Sequence, residues 1–324
     1  MPRLFRYSAL SLILAGSLLT AMAQRQRVIL DTDLGDDIDD AYAISAALHS
    51  PELDVLGITT AWGDTALRAR LAERLAQDCG AKSLPVLPGQ PTKTAARFTQ
   101  RAYAEAGPPA ERGSAVDFLL AEARRHPRQV TLLALGPLSN IAAAIDRDPQ
   151  GFRLLRRVVL MGGSIHRGYD PAASDRPGNR SAVGPRPSPP VPEYNIASDP
   201  GAAQKLLAAG VPVFLMPLDA TQWRLDDRRL GQVAARSTPT TDALLVLTME
   251  WQLANHIHTP TLYDAMTVAY AVHPELCPTT PLRLSVDAKG ATLVVAGTPN
   301  AQVCLKSDGK AFFNFLLPRL TTPQ

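Results

Sequence analysis

The chain has 324 residues, of which 46% are hydrophobic and 19% charged, with a formal net charge of +3. That is ample apolar material for a folded core and excludes a disordered or collagen-like polypeptide. The slight basic excess is scattered, with no Lys/Arg block of the kind that marks nucleic-acid binding, so no nucleic-acid partner is expected.

The first residues read as an address rather than as fold. Met1 to Arg6 is basic, Ser8 to Thr20 is apolar, and Ala21-Met22-Ala23 matches a small-x-small cleavage pattern before Gln24. The pattern predicts a signal peptide over 1–23, a mature domain over 24–324, and a secreted or periplasmic protein with no membrane attachment after cleavage. The apolar run is too short and punctuated for a membrane span, and a retained N-terminal anchor is the alternative. Cys79, Cys277 and Cys304 allow at most one disulfide and leave at least one free thiol. Their spacing excludes a cysteine-based zinc site.

Arg27 to Leu30 is a short apolar segment that reads as a buried strand. Asp31-Thr32-Asp33-Leu34-Gly35-Asp36-Asp37-Ile38-Asp39-Asp40 follows, placing six aspartates within ten residues, and then Ala41 to Leu48 has helix propensity and one apolar side. The acids therefore lie on a strand-to-helix turn, where ligands bind in open α/β sheets. Like charges so close raise each other's pKa unless something neutralises them. A helix N-terminus supplies only about half a charge. A hard divalent cation does better, and an all-oxygen cluster suits Ca²⁺ or Mg²⁺. The alternative is a solvated acidic loop with Asp39 or Asp40 as a helix cap.

Further along, Leu53 to Thr60 predicts a second strand ending in Trp62-Gly63-Asp64, and Ala66 to Cys79 a helix with Leu67, Leu71, Leu75 and Ala76 on one face. Val86 to Pro91 is a short strand entering a loop, and Ala115 to Arg125 an amphipathic helix. Val130 to Leu135 is an apolar strand closed by Gly136-Pro137 and followed by a helix over Leu138 to Ile145. Val158 to Gly163 and Val213 to Asp219 repeat the strand-then-turn pattern. Residues 167 to 192, rich in Pro, Gly, Arg and Ser, read as a long loop or flap. Leu282 to Leu320 contains alternating segments such as Ala291 to Ala296, separated by turns, which suggests an appended hairpin. Unbroken apolar strands alternating with helices predict one α/β domain: an open, mostly parallel sheet with helices on both faces and a C-terminal β-hairpin.

Three other stretches share the character of the acidic turn. Leu135-Gly136-Pro137-Leu138-Ser139-Asn140 closes a strand and opens a helix, which by itself is an ordinary turn. Glu193-Tyr194-Asn195-Ile196-Ala197-Ser198-Asp199-Pro200 joins an acid, an aromatic and an amide after the flap. Tyr263-Asp264-Ala265-Met266 places one acid at the head of an apolar helix, where a cap is the bland account.

Taken in this order, the four stretches resemble the inosine-uridine-preferring nucleoside hydrolase family over about residues 26 to 320. The resemblance implies an open α/β fold, a tightly bound Ca²⁺, and hydrolysis of the N-glycosidic bond of purine or pyrimidine ribonucleosides by a calcium-bound water. It also implies a homo-oligomer, dimer or tetramer. By position, Asp33 resembles the family's general base and metal ligand. The turn is two residues longer than the family's usual pattern, so Asp39-Asp40-Ala41 best matches its Asp-Asp-Ala. Asp40 then corresponds to a bidentate ligand and Asp39 to the ribose-hydroxyl contact, with Asp37 competing for the latter. Leu135 stands where a main-chain carbonyl ligates the ion, and Asp264 resembles the last protein ligand. Met161, Glu193 and Asn195 match residues that hold the ribose, Tyr194 a commonly aromatic position, and Asp64 a position where an Asn often contacts the sugar.

The chain departs from the family's pattern near the base. Tyr263 replaces the His that precedes the last metal-binding Asp and protonates the leaving group, and a phenol with a reference pKa near 10 is a weaker acid. His256 and His258 lie upstream with helix-surface placement expected for both. Trp62, Trp223 and Trp251 are candidates for stacking on the base, with core or lid packing as the default. No match to the family's His-Gly loop occurs between Phe98 and Gly107, and Pro187 stands where an Asn often precedes the Glu. A haloacid-dehalogenase-type phosphatase is disfavoured by Gly35 and by the surplus of acids. A secreted Ca²⁺-dependent nucleoside- or ribose-binding protein with little turnover is the competing reading.

Overall fold

The computed structural model describes residues 25–109, 113–170 and 188–322. The expected leader over 1–23 and most of the expected flap over 167 to 192 lie outside the described residues. Among the described residues, no helix is long and apolar enough to cross a membrane.

The centre of the fold is an eight-stranded sheet in the order β3-β2-β1-β4-β5-β6-β10-β7. Its strands are β1 (Gln26–Thr32), β2 (Leu53–Thr60), β3 (Val86–Pro88), β4 (Thr131–Ala134), β5 (Arg157–Met161), β6 (Val213–Met216), β7 (Thr279–Leu282) and β10 (Ala301–Cys304). All neighbours run parallel except β10 and β7, which are antiparallel at one edge. A separate antiparallel pair joins β8 (Leu284–Val286) to β9 (Thr292–Val294). The expected hairpin is therefore present, and the strand that follows it, β10, enters the main sheet. The last element among the described residues is a helix that the alternating pattern did not predict, Gly309–Thr321.

Successive strand residues face opposite layers, as the two-residue strand period requires. Val28 and Leu30 join one buried cluster while Ile29 joins the other. The first layer contains α1 (Asp39–Leu48), α2 (Thr65–Asp78), α11 (Pro239–Asn255), α12 (Ala265–Val272) and α13 (Gly309–Thr321). The second contains α4 (Ala115–Arg125), α5 (Ser139–Arg147) and α8 (Pro200–Ala208). Each fully buried Leu, Ile or Val stabilises such a layer by about 1.5–3 kcal/mol. Both faces being covered explains why the strands read as continuous apolar runs.

From β1 the chain moves outward to β2 and β3, then returns to place β4 on the other side of β1. The strand order thus reverses between β1 and β4, and the crevice outside their carboxyl ends is where ligands bind in this architecture. The acidic turn leaves β1 there, and Leu135-Gly136 leaves β4 beside it. At the opposite edge, both ends of the described chain meet the corner between α1 and β2. Arg25 Nε donates to the Leu53 carbonyl over 2.8 Å. Arg319 donates to Ser50 Oγ over 2.9 Å and to Glu52 over 2.7 Å.

A disulfide joins Cys277, just past α12, to Cys304 at the end of β10, and Cys79 is a buried free thiol. Three cysteines thus give one bridge and one thiol, the limits that their odd number sets.

Candidate active site

The site is built on the β1–α1 turn, in which the six acids take different partners. Asp31 points into the sheet, accepting from Thr59 Oγ1 at 2.6 Å and from Asn140 Nδ2 at 2.7 Å. Burial nevertheless raises its pKa to about 6. Asp36 turns to Arg68 at 2.7 Å. Asp37 Oδ1 accepts from the Ile38 N–H at 2.7 Å, and its carboxylate also accepts from the Trp251 side chain. Asp40 accepts from the Thr32 hydroxyl. Asp39 Oδ2 accepts from the Asp264 N–H at 3.1 Å.

Three of these groups converge. Asp39, Asp40 and Asp264, all buried, each bring one carboxylate oxygen within 4.8 Å of the others. Asp39 and Asp40 are the first residues of α1, whose N-cap position is Ile38 and has no side-chain cap bond. Asp264 precedes α12 and likewise makes no capping bond. The capping alternatives for these acids therefore fail. Asp37, the competitor to Asp39, faces Trp251 and lies outside the three-acid group.

Asp33 flanks the cluster, buried at 6% exposure. A Cβ on Gly136 would lie 2.5 Å from its Oδ1, so only glycine lets the end of β4 approach this carboxylate so closely. Burial first, and then the charge of Asp40, hold Asp33 well above the usual carboxylate range, with Arg68 opposing them. Asp39 is raised by burial and by Asp37 and Asp40, and Asp264 by burial and by Asp39 and Asp40. Asp40 is pushed to about 7, mainly by burial, while Thr32 and Arg68 act in the other direction.

So many buried acids side by side are unfavourable as anions without a counter-charge. Carboxylate oxygens around an ion with Ca–O distances of 2.3–2.6 Å lie up to about 5 Å apart, so the three-acid spacing fits a hard divalent cation. Leu135, the expected main-chain ligand, directs its carbonyl to Asn195 Nδ2 at 2.7 Å. A carbonyl has two lone pairs, so that bond leaves one for another partner.

Asn195 also donates to the Met161 carbonyl at 3.2 Å, linking the ends of β4 and β5. Its position is set by Glu193, the N-cap of α7 (Tyr194–Ser198). The Glu193 carboxylate accepts from the N–H groups of Asn195 at 2.9 Å, Gly163 at 2.9 Å and Ile196 at 3.2 Å, and from the Tyr169 hydroxyl. Glu193 is thus engaged in holding the turn that aims Asn195 and Met161 at the crevice.

Aromatic residues form the rim. Tyr263 meets Tyr169 edge to face with ring centroids 6.2 Å apart, and Tyr194 is 38% exposed. Burial and the charges of Asp37 and Asp39 push the Tyr263 phenol upward. Asp64 is an exposed N-cap of α2, its Oδ1 accepting from the Leu67 N–H at 3.1 Å. His256 and His258 are on the surface, the latter 2.7 Å from Asp227. Trp223 bonds Ser307 and Trp251 is buried beside Asp37.

Several contributors were not visible in the sequence. Arg68 enters the turn from α2. Thr99 and Gln100 stitch the turn from below, the Thr99 hydroxyl donating to the Asp36 carbonyl at 3.0 Å and Gln100 Nε2 to the Asp37 carbonyl at 2.6 Å. Tyr169 couples Glu193 to the rim, its hydroxyl accepting from the Tyr194 N–H at 2.9 Å.

A doubly covered open sheet carries, at its switch point, a buried carboxylate cluster that could hold a metal ion. The family model for inosine-uridine preferring nucleoside hydrolases matches residues 28–314, and the chain belongs to that family of ribonucleoside hydrolases. It is 30% identical over 297 residues to probable uridine nucleosidase 2 of Arabidopsis thaliana, covering 84% of this chain and 85% of the relative. It is 31% identical over 317 residues to the non-specific ribonucleoside hydrolase RihC of Escherichia fergusonii, covering 89% of this chain and 96% of the relative. The solved structure of a purine-preferring ribonucleoside hydrolase from Gardnerella vaginalis superimposes with a TM-score of 0.76 at 26% identity, covering 91% of this chain and 98% of that one.

Proposed function

We propose that this chain is a Ca²⁺-dependent N-ribohydrolase in which Asp33 is the general base. The observation that carries the reading is the buried Asp39–Asp40–Asp264 group with Asp33 beside it at the switch point. Asp33, Asp40, Asp264 and the Leu135 carbonyl would hold the ion, with Asp39, the third member of the three-acid group, beside it. When bound, the ion neutralises the carboxylates and acts as a Lewis acid toward water.

The chain's own groups account for the rest. The Asp33 carboxylate takes the proton from the water that attacks the anomeric carbon. Asp39 accepts from a ribose hydroxyl, and Asn195, braced by Glu193, orients the sugar along with the Met161 edge. The carboxylates stabilise the positive charge that develops in an oxocarbenium-like transition state. Tyr263, Tyr194 and Tyr169 wall the side on which the base departs, with Tyr263 as the proton donor to it. The three relatives are named for uridine, for non-specific and for purine substrates, so the rim is where this chain would set its preference.

We also propose export, with cleavage before Gln24. The disulfide supports it, because such bridges persist in oxidising compartments. N-terminal sequencing of the exported protein tests the cut, and a mature chain beginning at Met1 would reject it.

The test of the activity is ribose release from purine, pyrimidine and nicotinamide ribosides, with Ca²⁺ or with EGTA, beside Asp33→Ala. Calcium-dependent release lost in the variant supports the mechanism. Tight calcium binding with no release from any riboside would leave the binding-protein reading instead.

A further inference from the structure

The turn that carries the acids leaves residues 33–38 outside both β1 and α1, and such a segment has conformational freedom to lose on ordering. Something must hold it. Among the described residues, Arg68 is the largest of the fully buried side chains, at 1% exposure, and it reaches the turn from α2. Its Nε donates to the Trp62 carbonyl at 2.7 Å. Nη1 donates to the carbonyl of Asp33 and to that of Leu34 at 3.0 Å. Nη2 pairs with Asp36 at 2.7 Å. Below it lies the Phe98 ring, 5.4 Å away, which also fills the space a side chain at Gly35 would need.

A buried charge of this kind is tolerated only when its donors are satisfied and its charge is compensated. The planar guanidinium meets both conditions through four acceptors spread over three directions, a geometry that the ammonium of lysine cannot reproduce. Asp33 is thereby held from two sides: Gly136 lies against its carboxylate, and Arg68 grips its carbonyl. Asp36, meanwhile, is drawn toward the guanidinium.

We propose that Arg68 is a positioning residue for the hydrolytic reaction, fixing the backbone of Asp33 and Leu34 and holding Asp36 on its own charge. The inference rests on the reading of Asp33 as general base. It assigns to α2 a part in turnover, although Arg68, at 1% exposure, presents almost no surface to a ligand.

The experiment compares wild type with Arg68→Lys and Arg68→Met in the full mature chain. Calcium equivalents per chain, measured by titration calorimetry, count the folded sites, and steady-state ribose release gives kcat and KM. Per calcium-loaded site, Arg68→Lys should lose at least about tenfold in kcat with KM within about threefold, since the charge remains while the fork is gone. A brace that served only the fold would lower the melting temperature and the calcium equivalents but leave kcat per loaded site unchanged. That result, or wild-type kcat in either variant, overturns the proposal. If Arg68→Met does not fold, Arg68→Lys alone decides. Failure of the hydrolase reading itself would appear separately, as a wild type that releases no ribose.

Discussion

The backbone N–H of Asp264 donates to Asp39 Oδ2 over 3.1 Å, joining the acid before α12 to the acid that opens α1 across 225 positions of chain. Each carboxylate is therefore placed partly by the other's helix. Asp39→Ala removes a carboxylate and also the anchor of Asp264, and should weaken calcium binding by about 10–100-fold, the range for groups that orient ligands. Asp39→Asn keeps an acceptor for that N–H and should lose less. Calorimetric titration measures both, and equal affinities for the two variants would refute the anchoring role.

Burial and neighbouring charge hold Asp264 well above the usual carboxylate range, so its ionised form opposes the native state when no cation is present. Near pH 8 in EGTA, Asp264→Asn should melt at or above the temperature of wild type. Calcium at a hundred times its Kd should stabilise wild type by about 2.7 kcal/mol and the variant far less. A variant that gains as many degrees from calcium as wild type does would remove Asp264 from the ligand set.

Tyr263 is the candidate donor to the departing base. Tyr263→Phe should slow release from inosine or uridine about tenfold or more. On a nitrophenyl riboside, whose leaving group needs no proton, it should change the rate little. Equal losses on both kinds of substrate would make Tyr263 a wall of the pocket and nothing more.

The Glu193 carboxylate accepts from three backbone N–H groups and from Tyr169. Glu193→Gln turns an NH₂ toward those donors, leaving buried N–H groups unpaired at about 1–3 kcal/mol. The expected outcome is a lower melting temperature together with a raised KM for ribosides, because Asn195 loses its brace. An unchanged KM would detach Glu193 from sugar binding.

Replacing Cys277 and Cys304 by Ser opens a bridge whose cysteines are 27 positions apart. The loss expected from chain entropy is about 3.5 kcal/mol. Denaturant unfolding with and without reductant reads it directly, and identical midpoints would mean that the thiols are not joined in solution.

The strand-to-helix turn and the acids on it were legible because they are local: an apolar run, a glycine and a helix start fall within a few positions of one another. The sharing of roles among the six acids was not legible, since Asp36 and Asp39 are separated by partners from α2 and from residue 264. Arg68 escaped for a related reason. In an amphipathic helix an Arg reads as a solvated residue, yet position 68 lies three and four residues before Leu71 and Ala72, in line with the buried face. An arginine in register with the apolar stripe is the signal that could have found it. The C-terminal pattern foretold a hairpin but not β10 joining the main sheet, because pairing with β6 is set by tertiary contact and not by alternation.

Arg25 and Arg319 are pinned at one corner of the sheet, on the edge where the parallel strands begin, while the acids lie where those strands end. The seven residues of β1 that separate the two edges span roughly 23 Å. With cleavage before Gln24, as proposed above, each end of the described chain is a handle at the opposite end of β1 from the acids. A dye, a purification tag or a bead attached there would leave the crevice open to solution, and an immobilised form is expected to turn over its riboside as the free one does.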